Sequence, residues 1–250
     1  VSNKEYYNGD ADNYYRLAQH SEVGSTLKGK DDVTLVAKKD VRIRQSDIGS
    51  EKGNVLIGSQ QGDIQVEAGR EEEQLASASK SVSRGRFGLS KTTEIRRHEH
   101  DIAQSVSSNI DGKTVNLIAG QGNVTVQGSN VVGENGLTVQ AKNIDIKEAE
   151  NQVYSEDFHS KKKSGVLGGG GLGVTFGAQK QTLESDKTKF YAQGSQVGSL
   201  NGNTTLIAKN HYSQTASQVS AVNGDVNILA KSVDIKAADD KYETNTKQKF

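Results

Sequence analysis

Val33-Thr34-Leu35-Val36-Ala37, Val115-Asn116-Leu117-Ile118-Ala119 and Thr204-Thr205-Leu206-Ile207-Ala208 write one short phrase three times along this chain. Leu35 and Leu117 lie 82 residues apart, and Leu117 and Leu206 lie 89 apart. Recurrence at this scale marks an array of one supersecondary unit. Each copy also continues alike. A second apolar run follows, then a Ser-x-aliphatic step (Ser46/Ile48, Ser129/Val131, Ser217/Val219), then a glycine at Gly53, Gly136 or Gly224. Two further runs close the unit, as in Val226-Asn227-Ile228 and Val233-Asp234-Ile235.

Within the runs aliphatic residues alternate with Thr, Asn, Asp, Lys and Gln, which predicts strands with one buried face. Asn-Gly turns are too few, at 8-9, 135-136, 201-202 and 223-224, for every connection to be a hairpin. Equivalent features within a unit, Val33 to Val55, Val115 to Leu137 and Thr204 to Val226, are each 22 residues apart. A coil of three short strands fits that length. Stacked at about 4.8 Å, about seven such coils would span roughly 30 Å as a parallel β-helix.

Energetics require the repetition. One coil buries about six to eight small aliphatic side chains worth about 1.5–3 kcal/mol each. Ordering its residues costs about 1–2 kcal/mol apiece in backbone entropy. A lone coil fails, and stability needs a neighbour on each side. Ala37, Ala119, Ala141, Ala208 and Ala230 suit crowded interior corners of such a stack.

Composition agrees. Only 32% of the 250 residues are hydrophobic and 5% aromatic, which excludes a thick core of large side chains. Disorder is argued against by the absence of proline and by the balance of 31 basic and 31 acidic residues. That balance also argues against nucleic acid as the partner. The chain has no cysteine, hence no disulfide framework or thiolate metal site. It has no methionine even at position 1, and is expected to be a piece cut from a longer polypeptide. No run approaches the roughly 20 apolar residues of a membrane-spanning helix.

The whole of 1–250 is expected to be one β-helical fragment, with repeat units at about 21–70, 107–149 and 195–238. Between them lie glycine-centred, Lys/Ser/Thr/Glu-rich insertions at about 71–106 and 150–192, too long for structureless loops. They are predicted to be projecting antiparallel hairpins. Residues 1–20 look like the returning arm of an earlier hairpin, and 239–250 like the outgoing arm of a next one. Lys80, Arg84, Arg86, Lys91, Arg96 and Arg97, opposed by Glu71-Glu72-Glu73, Glu94 and Glu99, are expected to form a solvated charged hairpin.

Candidate chemistry is sparse. Gly168-x-Gly170-x-x-Gly173 matches a dinucleotide pattern formally but lacks the preceding buried strand and the following helix. His98-x-His100 would share a strand face near Glu94 and Glu99, yet two ligands without a third make no metal site. Asp145 and Asp234 occupy equivalent repeat positions and are expected to point outward as structural residues. Nothing calls for a cofactor. The informative stretch is 164–179, sixteen residues without a charge, where Leu172, Val174 and Phe176 alternate with small or polar residues. Its apolar face must pack along the solenoid's flank, pair with a neighbouring hairpin, or meet an external surface such as a membrane or partner. About ten alternating residues is also the length that crosses an outer membrane in a barrel.

The stretches 198–208 (GSLNGNTTLIA) and 223–238 (NGDVNILAKSVDIKAA) resemble the haemagglutinin repeats of filamentous-haemagglutinin-type, two-partner-secreted exoproteins. With the copies at Leu35 and Leu117 the resemblance covers nearly the whole chain. It is most similar to the downstream repeat block of contact-dependent growth inhibition exoproteins of the CdiA type. The resemblance implies an all-β, right-handed parallel β-helix with hairpin insertions, and export through a two-partner secretion transporter. It further implies the cell surface of a Gram-negative bacterium, contact with a target cell's outer membrane, and toxin delivery by a segment that is no enzyme. The other reading is an adhesin stalk binding host or bacterial receptors or glycans.

Overall fold

The apolar-polar alternation of 33–37 is realised as a strand with Val33 buried and Thr34 and Val36 exposed. A computed structural model describes residues 1–85, 88–168 and 174–250, the side chains of 166–168 and 174–176 excepted. Among them no α-helix occurs.

In chain order, β1 (Ser2–Gly9) and β2 (Tyr14–Ser21) form a short hairpin. A first coil follows from β3 (Thr26–Gly29), β4 (Val33–Ala37) and β5 (Val41–Arg44), and a second from β6 (Asp47–Ser50), β7 (Val55–Ser59) and β8 (Ile64–Glu67). The chain then leaves as a long hairpin, β9 (Gly69–Arg84) and β10 (Ser90–Val106). It returns for a third coil, β11 (Asn109–Gly112), β12 (Val115–Ala119) and β13 (Val124–Gln127), and a fourth, β14 (Asn130–Gly133) and the bent β15 (Leu137–Lys147). A second long hairpin, β16 (Ala149–Gly168) and β17 (Val174–Gln193), intervenes. The fifth coil is β18 (Gln196–Ser199) and β19 (Thr204–Thr215), and the sixth β20 (Gln218–Ala221), β21 (Val226–Leu229) and β22 (Ser232–Lys236). Last comes β23 (Lys241–Lys249).

Equivalent strands of successive coils pair in parallel, in the order β3-β6-β11-β14-β18-β20 on one wall. The other two walls run β4-β7-β12-β15-β19-β21 and β5-β8-β13-β15-β19-β22. This is a parallel β-helix. It has six coils, which at about 4.8 Å each span roughly 24 Å between first and last, one coil fewer than the sequence spacing implied.

The leucines of the repeated phrase share one interior column, in which Leu35, Ile57, Leu117, Val139, Leu206 and Ile228 are neighbours through the ladder. Leu117 and Leu206 are wholly buried, and Leu35, in the end coil, partly so. The small residues behave as the crowding argument requires. Ala37 pairs with Ser59 and Ser59 with Ala119, while Ala141 pairs with Ala208.

The Ser-x-aliphatic step has a physical cause. The backbone N–H of Ser25, Ser46, Ser108, Ser129 and Ser195 each donates to the serine hydroxyl one coil on, at 3.0–3.2 Å. Each hydroxyl in turn donates to a carbonyl that closes the previous coil, for example Ser129 Oγ to Gln127 O at 2.9 Å. Where one coil passes straight into the next, the corner residue before the serine takes a positive φ: Gln45 at 45°, Gly128 at 55° and Ala216 at 44°. At the two alternate corners the long hairpins replace that residue.

Candidate interaction surface

The hairpins do not stand apart. They join edge to edge in one antiparallel seven-stranded sheet, β1-β2-β9-β10-β16-β17-β23. Commensurability explains this: each unit advances two coils, about 9.6 Å, and each hairpin occupies two strand spacings, also about 9.6 Å. The ladder of the fin therefore keeps step with the ladder of the solenoid. No fin strand makes an extended contact with a solenoid strand, so the sheet projects from its roots. At the root, Gln193 Nε2 donates to Ser107 Oγ at 2.9 Å, and the Asn151 side chain accepts the Ser105 N–H at 2.6 Å. The amino end supplies both arms of a hairpin, turned by Asp10, where one arm was expected. The Asp10 carboxylate accepts the N–H groups of Asn13 and Asp12, which lowers its pKa from the usual carboxylate value.

Cross-strand partners share a face, so register sorts the fin's side chains into two sets. On the His98 face, His98 Nδ1 lies 2.8 Å from Asp157 and the His98 and His100 rings stack at 6.2 Å. Glu94 binds His159 at 2.8 Å and Arg96 at 2.6 Å, and Arg96 first, then His159, hold its carboxyl below the usual range. His98 and His159 thus each find their own acid instead of converging on a common centre. Among the described residues no group of three or more His, Asp or Glu could hold a metal.

The Glu99 face is ordered differently. Near the root, Glu99, Glu156 and Asp186 stand directly opposite one another on β10, β16 and β17, with Asp101 and Glu243 in the next row toward the root. Tyr154 Oη donates to Glu156 at 2.8 Å, which with partial burial pushes its pKa up to about 12, and Asn245 Nδ2 donates to Asp186 at 2.9 Å. Burial raises Asp101. Between the two halves Arg97 stacks on Phe158, 5.3 Å from the ring centroid. Toward the tip, Lys162 faces Lys180 and Arg84 faces Lys91, all four exposed. Of the basic stretch, Lys80, Arg84, Lys91 and Arg97 share the Glu99 face and Arg96 lies on the other; Lys80 meets Asp12 at 2.7 Å and Arg96 meets Glu94 at 2.6 Å.

The remaining candidates are placed as follows. Leu172 lies outside the described residues, as do the side chains of Val174 and Phe176 and most of the Gly168–Gly173 pattern. The backbone pairs Val174 with Gly168 and Phe176 with Val166, beyond Gly165, the last residue of β16 that faces β10. Asp145 and Asp234 share an outward column but are separated by Ser213, which donates to Asp145 at 2.5 Å. Asp234 meets His211 at 3.5 Å and Lys236 at 3.7 Å. What the sequence reading missed is the segregation of charge on the Glu99 face, whose signal needed the register of all four long arms.

These features define a β-helical repeat segment built to present a lateral fin. The sequence pattern described as Hemagglutinin repeat matches residues 12–97 and 87–249, and the chain belongs to that family. It is similar to a protein named tRNA nuclease CdiA from Yersinia mollaretii, at 40% identity over 48% of this chain. It is likewise similar to tRNA nuclease CdiA-2 from Burkholderia pseudomallei, at 28% over 75%, and to 16S rRNA endonuclease CdiA from Enterobacter cloacae, at 35% over 58%. The chain spans only 4%, 6% and 5% of the length of those three relatives. No solved structure matches it. It is therefore a hemagglutinin-repeat segment of the kind found in CdiA-type proteins.

Proposed function

We propose that this segment is a rigid, non-enzymatic part of a large exoprotein secreted to the surface of a Gram-negative bacterium through a two-partner secretion transporter. There it mediates cell-cell contact and helps deliver a toxin by associating with a target cell's outer membrane. The family membership and the CdiA-type relatives support the setting. The observation that carries the membrane role is the reach of β16 and β17. Their arms run past Ser90, the end of β10, so the backbone of 166–168 and 174–176, within the charge-free stretch, extends beyond β10. Leu172, Val174 and Phe176 are the contact residues in this reading.

The test is removal of 164–179 with a short turn in its place, followed by association with outer-membrane vesicles and by circular dichroism. Lost association with unchanged β signal supports the proposal. Undiminished association overturns it and leaves a stalk.

A further inference from the structure

The charge map of the Glu99 face is a cost the fold carries without return. Like charges directly opposite in a sheet weaken the pairing. Yet Arg84 faces Lys91, Lys162 faces Lys180, and Glu99, Glu156 and Asp186 stand in one row. The two halves do not relieve each other. From Glu99 to Lys91 along β10 is eight residues, about 26 Å at the strand rise, roughly three screening lengths in physiological salt. None of the four tip cations has an acidic partner among the described residues, and each is exposed.

Resting on the membrane reading above, we propose that this polarity orients the fin. Arg84, Lys91, Lys162 and Lys180 engage the phosphate groups of an anionic lipid surface, while the acidic rows near the root are repelled by it. Lying flat would press Glu99, Glu156 and Asp186 against like charge. Standing on its tip, with the uncharged end of β16 and β17 that reaches about 20 Å beyond Lys162 and Lys180 entering the lipid, brings these cations to the surface and keeps the Glu99 row about 20 Å away from it. The fin meets the membrane end-on, with the solenoid held tens of ångströms away. Arginine and lysine both suit phosphate, arginine through its fork and lysine as a compact charge.

The chain's lack of cysteine allows single-site labelling. A fluorophore is placed at Ser83→Cys near the tip or at Gln104→Cys near the root, and quenching by headgroup-labelled lipid is read. The vesicles are phosphatidylcholine alone or phosphatidylcholine with phosphatidylglycerol. The expected result is binding to the anionic vesicles only, falling with salt, with the tip probe quenched and the root probe not. Lys162→Gln with Lys180→Gln weakens it by about thirtyfold, the effect of two basic charges near such a surface. Millimolar inorganic phosphate competes no better than chloride at equal ionic strength. Equal binding to both vesicles sinks the electrostatic inference while the membrane reading stands; binding to neither sinks both. Equal quenching at both positions overturns the end-on orientation, and specific competition by phosphate reassigns the cations to a free anion. A salt-sensitive dimer without lipid, abolished by the same double variant, assigns them to a second copy and overturns the proposal.

Discussion

Ser108 Oγ donates at 2.7 Å to the carbonyl oxygen of Glu67, 41 positions earlier in the chain, and so closes the second coil at the point where the first long hairpin leaves it. The same oxygen accepts the N–H of Ser46 from the coil before, at 3.1 Å. Ser195 repeats the arrangement at the second hairpin, with Lys147 O at 2.7 Å. A hydroxyl that both donates and accepts lets a long excursion begin and end without breaking the ladder.

Ser108→Ala leaves the part-buried Ser46 N–H without its partner and takes one of two donors from the Glu67 carbonyl, which keeps the Gln45 N–H at 3.2 Å, a loss of about 1–3 kcal/mol. Urea unfolding should show a midpoint lowered accordingly with the slope unchanged. A variant as stable as the parent would mean water or backbone shifts replace the hydroxyl.

The corner residues make opposed predictions. At Gly128 an added Cβ would fall 2.5 Å from the Cβ of Ala149 at a positive φ, so Gly128→Ala should destabilise by about 2 kcal/mol or more. Ala216 already pays for the left-handed conformation, so Ala216→Gly should stabilise by up to about 1 kcal/mol. Thermal denaturation of the pair decides it; shifts of the same sign would refute the corner assignment.

Tyr212 is fully buried in the fifth coil, and its hydroxyl donates to Gln214 Oε1 at 2.8 Å. Burial pushes its pKa up to about 12 from the ordinary 10.0, so the fold favours the protonated phenol. Its contribution is whole below pH 10 and is lost as pH climbs from 10 toward 12. Tyr212→Phe should flatten stability across that window by its share, leaving the dependence of Tyr154, also raised to about 12. An unchanged alkaline profile would show that Tyr212 does not titrate with unfolding.

The fin should depend on lateral pairing, since an isolated two-stranded hairpin is marginal in water. Excising 69–107 with Ala68→Gly joins Glu67 to Ser108 through the same corner as Gln127-Gly128-Ser129. Coil amides should stay protected from hydrogen exchange while β2, which pairs with β9, loses protection on that edge. Protection of β2 equal to the parent's would show that the fin does not order its own strands.

The solenoid was legible because its side-chain pattern is local. Val33, Leu35 and Ala37 alternate with polar residues, and the 22-residue spacing sets the coil. Even Ser46, Ser129 and Ser217, noticed only as a recurring step, turned out to be the corner ladder. The structure has six coils where the spacing led to about seven. The fin's charge map was not legible: in sequence Lys80 to Arg97 and Glu71 to Glu73 look like one mixed surface run. Only pairing across four arms shows that Lys162 and Lys180 share a row while Lys161 and Lys163 turn to the opposite face.

Sequence alone therefore determined the repeat and the burial of each aliphatic column, because period-two alternation and turn chemistry act over neighbouring residues. Tertiary structure decided that those insertions fuse into one sheet and which charges meet on each of its faces. That outcome depends on matching two strand spacings of hairpin to two coils of helix, a relation between segments tens of residues apart that no local window contains.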